Sequence, residues 1–225
     1  MPGPFDGAPS DARALDRRAP EGTPRGVVLM LHGGTPHSLE PVGTRSGSLW
    51  RMQVLRDALR REVLDAGHAL WLLRYARRGW NGGTSLSPVP DARWALDQVR
   101  AAYGDVPVVL VGHSMGARVA SRVADDPSVR GVVALAPWFD GGDPVTALAG
   151  KDLVVGHGLR DRITSARGSR AFTERAAAVA ARAEFYPLGR AGHYLLYRPT
   201  RWNRFALHHA LDVLARAEHR SDPVE

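Results

Sequence analysis

A serine set between glycines, Gly112-His113-Ser114-Met115-Gly116, follows the apolar run Val108–Val111 and precedes a segment with Val119, Ala120 and Val123 at helical spacing. A serine hydroxyl is a poor nucleophile until it is held out and given a base. A G-x-S-x-G between a strand and a helix does the first of these, because the sharp turn lifts Oγ above the end of the sheet. Gly112 and Gly116 let neighbouring backbone approach closely. The turn also aims the Met115 amide and a helix N-terminus at the reacting centre. Ser114 is therefore the candidate nucleophile; the bland alternative is a tight turn with an idle serine.

Such a serine needs an orienting acid and a histidine, expected in the chain order Ser, Asp or Glu, His. Asp161 lies in Gly156-His157-Gly158-Leu159-Arg160-Asp161, just past the apolar run Leu153–Val155. There it would fix an imidazole tautomer and stabilise the imidazolium. Asp140 and Asp143, past the preceding run, compete for that role. His193, in Gly192-His193-Tyr194, follows the short run Glu184–Tyr186 and is the candidate base. His37 and His68 precede the serine. His32, His113 and His157 flank strand ends and read as loop residues. His208 and His209 fall in a helix pattern, and His219 in the tail. Activity is expected to fall on acidification, as the base protonates.

His32-Gly33-Gly34-Thr35 ends another apolar run. Acyl transfer places negative charge on a former carbonyl oxygen, and losing one preset donor to it costs roughly 3–4 kcal/mol. The Met115 amide is one expected donor and Gly34 the second. Thr35 is the weaker choice for a donor and a candidate substrate contact. A phosphate loop is the other use of such glycines. No G-x-x-x-x-G-K-[ST] occurs, however, and the sole lysine, Lys151, is remote.

These residues demand a sheet with its strand ends at one edge. Val27–Leu31, Ala69–Tyr75, Val108–Val111, Val132–Leu135, Leu153–Val155 and Glu184–Tyr186 read as six strands. Short apolar runs of this kind are buried on both faces. Between them lie helical patterns, such as Met52, Leu55, Leu59 and Val63, and finally Trp202, Ala206, Ala210 and Val213. Alternating strands and helices predict an α/β fold: one domain, a mostly parallel sheet of about six strands, and flanking helices. Its expected span is 25–217. Residues 1–24, rich in proline, read as a flexible arm with room for a short edge strand. Residues 218–225 read as a polar tail.

With these parts in order, the stretch from Val27 to His193 resembles the α/β-hydrolase superfamily. The resemblance rests on HGG at 32–34, the Arg78-Gly79-x-x-Gly82 loop, GHSMG at 112–116, HGLRD at 157–161 and AGH at 191–193. It implies the fold, the Ser114–His193–Asp161 triad and a Gly34–Met115 oxyanion hole, but not a substrate. Leu135-Ala136-Pro137-Trp138 is similar to a segment of cutinase-like, polyester-degrading members, which implies Trp138 as a wall of the acyl cleft. This chain departs from the pattern in three ways. Few residues precede the first strand, where the family often has a hairpin. Only about a dozen separate Phe139 from Leu153, too few for the helical lid that many members insert there. Disulfides, frequent in the cutinase-like members, are excluded by the absence of cysteine. An open cleft follows, with the 35–47 loop as partial cover.

Composition agrees with a soluble globular chain of 225 residues, 44% of them hydrophobic. No apolar stretch is long enough to span a bilayer, and no signal-peptide core is visible, so a cytoplasmic location is expected. The net charge of +7 comes from arginines scattered among acids, which reads as solvated helix faces rather than a nucleic-acid site. The expected activity is two-step hydrolysis of small to medium apolar acyl esters, with Trp80, Trp138 and Phe139 as cleft walls. A small-molecule ester is the expected partner, and neither metal nor organic cofactor is required. Thioesters or lactones suit the same machinery, and a non-catalytic binding protein on the same scaffold is the rival from another class.

Overall fold

The computed structural model describes residues 5, 12–43 and 45–221. Its elements run β1 (Ala14–Arg18), β2 (Val27–Leu31), α1 (Gly47–Asp65), β3 (Ala69–Arg74), α2 (Val89–Tyr103), β4 (Val108–His113), α3 (Met115–Val123), β5 (Val129–Leu135), β6 (Asp152–His157), α4 (Ala166–Ala176), β7 (Arg182–Pro187) and α5 (Pro199–Ser221). One sheet takes the order β1-β3-β2-β4-β5-β6-β7. Six strands are parallel; β1 pairs antiparallel with β3, with Asp16 opposite Leu72.

Every residue of β2, β3, β4 and β6 is buried. That burial is the physical meaning of their unbroken apolar runs: helices cover both faces of a parallel sheet. α1 packs with α5 and α2 with α3. Ser46 caps α1 by accepting from the Leu49 amide, and Ser165 caps α4 by accepting from the Gly168 amide.

The sheet has seven strands where about six were expected. The added strand, Ala14–Arg18, lies inside the segment read as a flexible arm. Its buried residues are Ala14 and a carboxylate: Asp16 is neutralised by Arg56 of α1 and by Arg18 at 3.2 Å. The other boundary moves too, because α5 continues through Ser221 into the expected polar tail, where Glu218 pairs with Arg25 at 3.5 Å. Between β5 and β6 the only helical feature is one 3₁₀ turn, Thr146–Leu148. No helix of the described residues is long and apolar enough to cross a membrane.

The chain leaves β2 for β3 on one side and crosses to β4 on the other. Strand order thus reverses between β2 and β4. Open α/β sheets bind ligands at such a switch point, beyond the strands' carboxyl ends. The His32–Thr35 loop leaves β2 there, and Ser114 leaves β4.

Candidate active site

Ser114 sits between β4 and α3 with φ 55° and ψ −119°, a left-handed conformation that a residue with a side chain adopts only under constraint. The constraint is visible on both sides. A Cβ on Gly112 would fall 2.5 Å from the Ala117 backbone, and one on Gly116 would fall 2.1 Å from the Leu31 carbonyl. Only glycine lets α3 start this close to β2 and β4. The Ser114 carbonyl accepts from the amides of Ala117 (3.1 Å) and Trp138 (3.2 Å), which fixes the turn against the segment after β5.

The three predicted side chains meet at this edge. His193 Nε2 lies 3.1 Å from Ser114 Oγ, and His193 Nδ1 lies 2.8 Å from Asp161 Oδ2. A carboxylate only accepts, so Nδ1 carries the proton and Nε2 is left to accept from the serine hydroxyl. Asp161 holds more donors than that. His157 Nε2 is 3.1 Å from Oδ2 and Thr164 Oγ1 is 2.9 Å from it, while the amides of Ile163 and Thr164 donate to Oδ1 at 2.8 and 2.9 Å. Burial alone would raise this carboxyl group's pKa. The hydrogen bonds from His157, His193, Thr164 and Ile163 outweigh it and hold the group well below the usual carboxylate range. The two competing acids are engaged elsewhere: Arg118 and Arg122 both donate to Asp143, and Asp140 lies 3.6 Å from Arg118.

Three histidines read as loop residues have definite structural tasks. His32 Nδ1 donates to the Gly33 carbonyl at 2.6 Å, and its Nε2 accepts from the Tyr75 amide at 3.3 Å. Burial drives its pKa down to about 4, so it is a neutral brace for the loop. His113 Nε2 donates to the His193 carbonyl at 2.9 Å, and burial pushes its pKa to about 3. The residue before the serine thereby holds the backbone of the residue that faces it. His157 Nδ1 lies 2.8 Å from Ser169 Oγ, which turns the other ring nitrogen onto Asp161. The spacing His157-x-x-x-Asp161-x-x-Thr164 carries this cluster in sequence, but nothing local reveals that the three converge.

Gly34 faces Met115 tightly. A Cβ there would lie 2.2 Å from the Arg78 carbonyl and 2.3 Å from Met115 Cε. The Thr35 amide donates to that same Arg78 carbonyl at 3.0 Å, so it is committed and cannot serve an oxyanion. Thr35 bridges Gly79, and the rest of its loop is stitched to residues 76–81, with Arg77 donating to the Leu39 carbonyl at 2.8 Å. A cavity of about 250 Å³ lies beside Gly34 and Thr35, bordered also by Val42, Arg45 and Arg78.

The expected cleft walls fall elsewhere in part. Phe139 is buried and stacks on Phe172, ring centroids 3.8 Å apart, because its side chain turns under α4. Trp80 is buried, and with the half-buried Trp138 it brackets the Arg118 guanidinium at 4.5 and 4.7 Å. Arg118 stands one helical turn beyond Ser114, itself buried and paired with Asp143 at 2.8 Å. Sequence reasoning missed this cluster, since an arginine in an amphipathic helix normally faces solvent. The apolar groups that are exposed near the site are Leu159 and Ile163 after β6, and Tyr194 and Leu196 after His193. Among the described residues, no group of three or more His, Cys, Asp or Glu side chains is arranged to hold a metal ion.

Residues 28–221 match the model of the alpha/beta hydrolase family, and the chain belongs to that family. Its fold is similar to an alpha-beta serine hydrolase homologue from Coxiella burnetii (TM-score 0.67, 19% identity, 88% of this chain and 91% of that one). It is also similar to an a/b serine hydrolase without lid from Xanthomonas campestris (TM-score 0.65, 18% identity, 89% and 88%). A third is Est1E from Butyrivibrio proteoclasticus, solved with ferulic acid bound (TM-score 0.66, 13% identity, 90% and 96%). A search of curated proteins finds no match.

Proposed function

We propose that this chain is a serine-dependent carboxylic ester hydrolase working through an acyl-enzyme. The observation that carries the reading is the unbroken line from Ser114 Oγ through His193 to Asp161, at 3.1 and 2.8 Å. His193 takes the hydroxyl proton as Oγ attacks the ester carbonyl. The oxyanion rests on the Gly34 and Met115 amides. The imidazolium, stabilised by Asp161, then gives its proton to the leaving alcohol as the carbon–oxygen bond breaks, and water cleaves the acyl-enzyme by the same sequence. Exposed Leu159, Ile163 and Leu196 on the loops that carry Asp161 and His193, with no α-helix inserted between β5 and β6, favour small to medium apolar acyl groups.

The test is labelling with a fluorophosphonate beside a panel of p-nitrophenyl esters and thioesters. Wild type should form an adduct on Ser114 and turn over the esters. Ser114→Ala should lose the adduct and roughly 10⁶-fold in kcat. Near-full turnover by that variant would end the assignment. Turnover of thioesters faster by orders of magnitude would reassign the substrate class, and no adduct at all would favour a non-catalytic binding protein.

A further inference from the structure

A second cavity, of about 480 Å³, opens beside the catalytic edge and is lined by Arg160, Arg190, Gly192, Tyr197 and Arg198. Two of these precede the reactive groups in the chain: Arg160 precedes Asp161, and Gly192 precedes His193. Their loops are tied together. The Leu159 amide donates to the Gly189 carbonyl at 2.7 Å and the Arg160 amide to the Ala191 carbonyl at 3.2 Å. Arg160 and Arg190 are thus carried on one cross-linked surface. Arg198 is added by the segment after His193, with φ 53°.

All three arginines are exposed, and none forms an ion pair among the described residues; the Arg198 guanidinium stands over the Tyr197 ring, at 5.5 Å. No acid lines the cavity. The carboxylate nearest in sequence, Asp161, has a fully buried side chain and is held by its own donors. Elsewhere on this molecule some exposed arginines do meet acids, as Arg25 meets Glu218 and Arg61 meets Asp65. Three unneutralised guanidinium groups around one hollow match an anion of two or more charges with several acceptor oxygens, which is the chemistry of phosphate rather than of a single carboxylate.

The side of the site is informative as well. His193 must protonate the departing oxygen, so the leaving group lies on the histidine side and the oxyanion on the Gly34 side. The arginine cavity contains Gly192 and so borders the histidine side. We propose that it is an anion subsite that takes the phosphate of a phosphorylated leaving alcohol. The inference rests on the ester-hydrolase reading of Ser114. The reaction keeps its balance: the Oγ–carbonyl bond forms, the ester carbon–oxygen bond breaks, and the proton from Ser114 ends on the phosphorylated alcohol, whose phosphate is untouched.

The experiment compares two substrates with the same acyl group, 1-butyrylglycerol and 1-butyrylglycerol 3-phosphate, and measures binding of inorganic pyrophosphate by calorimetry. Wild type should prefer the phosphorylated ester by about 10-fold or more in kcat/KM, less so as salt is raised. In Arg160→Gln/Arg190→Gln the ratio should fall towards one, and pyrophosphate binding should disappear with the fold unchanged by circular dichroism. Equal kcat/KM for the two esters, or a preference that survives the substitutions, overturns the subsite. Hydrolysis of neither ester together with arginine-dependent pyrophosphate binding would leave the subsite standing and remove the esterase reading. Absence of pyrophosphate binding to wild type would remove the subsite alone.

Discussion

Acidification should unfold this protein through two imidazoles that take no part in proton transfer. His32 and His113 are wholly buried and neutral, with pKa values lowered by burial to about 4 and about 3 from an ordinary 6.5. In the unfolded chain both take up a proton near the ordinary value. Between that value and the folded ones the unfolded state binds more protons, so stability is complete above pH 6.5 and drains away as pH falls. Each pH unit of separation is worth about 1.4 kcal/mol. The loss therefore reaches roughly 3 kcal/mol at His32 and roughly 5 kcal/mol at His113, together comparable to the whole stability of a domain. Near pH 5 the slope should be about 2.7 kcal/mol per pH unit from these two groups. The buried His68 and His209 shift the same way and add to it, whereas Asp91, raised by burial, works against it. Urea denaturation followed by tryptophan fluorescence from pH 8 to pH 4.5 measures the slope directly. His113→Asn should lower it by about 1.4 kcal/mol per pH unit. A denaturation free energy that is flat over this range, or a slope unchanged in the variant, would refute the reasoning.

Asp161→Asn should keep the fold and lose about 10⁴-fold in kcat, because an amide stabilises the wrong tautomer of His193; steady-state kinetics with a p-nitrophenyl ester would show it. Gly34→Ala forces a methyl into the Arg78 carbonyl and Met115, so the donor moves and kcat should drop about 10²–10³-fold, whereas an unchanged kcat would mean that Gly34 supplies no oxyanion contact. Asp143→Asn takes the buried carboxylate from the buried Arg118, leaving it only the exposed Asp140 at 3.6 Å, and should cost roughly 3 kcal/mol in chemical denaturation.

Much of this molecule is written in short-range pattern. The runs at Val27, Ala69 and Val108 are legible because parallel strands under two helix layers have no polar face to interrupt them. Ser114 and Asp161 are legible because each follows such a run, and His193 because it alone among the histidines follows a later strand in the order the chemistry needs. What escaped notice depends on contacts between distant segments. β1 reads only as room for a short edge strand, because Asp16 is buried beside Ala14 and the arginine that neutralises it lies 40 positions away on α1. The hold of His157 and Thr164 on Asp161 is hidden because their ring and hydroxyl could equally have served solvent. Trp80, Trp138 and Arg118 read as two cleft walls and a surface cation, yet in space they form one packed cluster. Phe139 likewise belongs to the interior beside Phe172.

The lack of any insert between β5 and β6 has a further consequence. Ser114, His193 and the Asp161 side chain are buried, while the Leu159, Ile163 and Leu196 side chains on the adjoining loops are exposed. Choice of guest and speed of bond cleavage are therefore separable by construction. On the proposed ester-hydrolase reading, exchanging these three side chains should change which acyl groups are accepted while the buried groups keep their contacts.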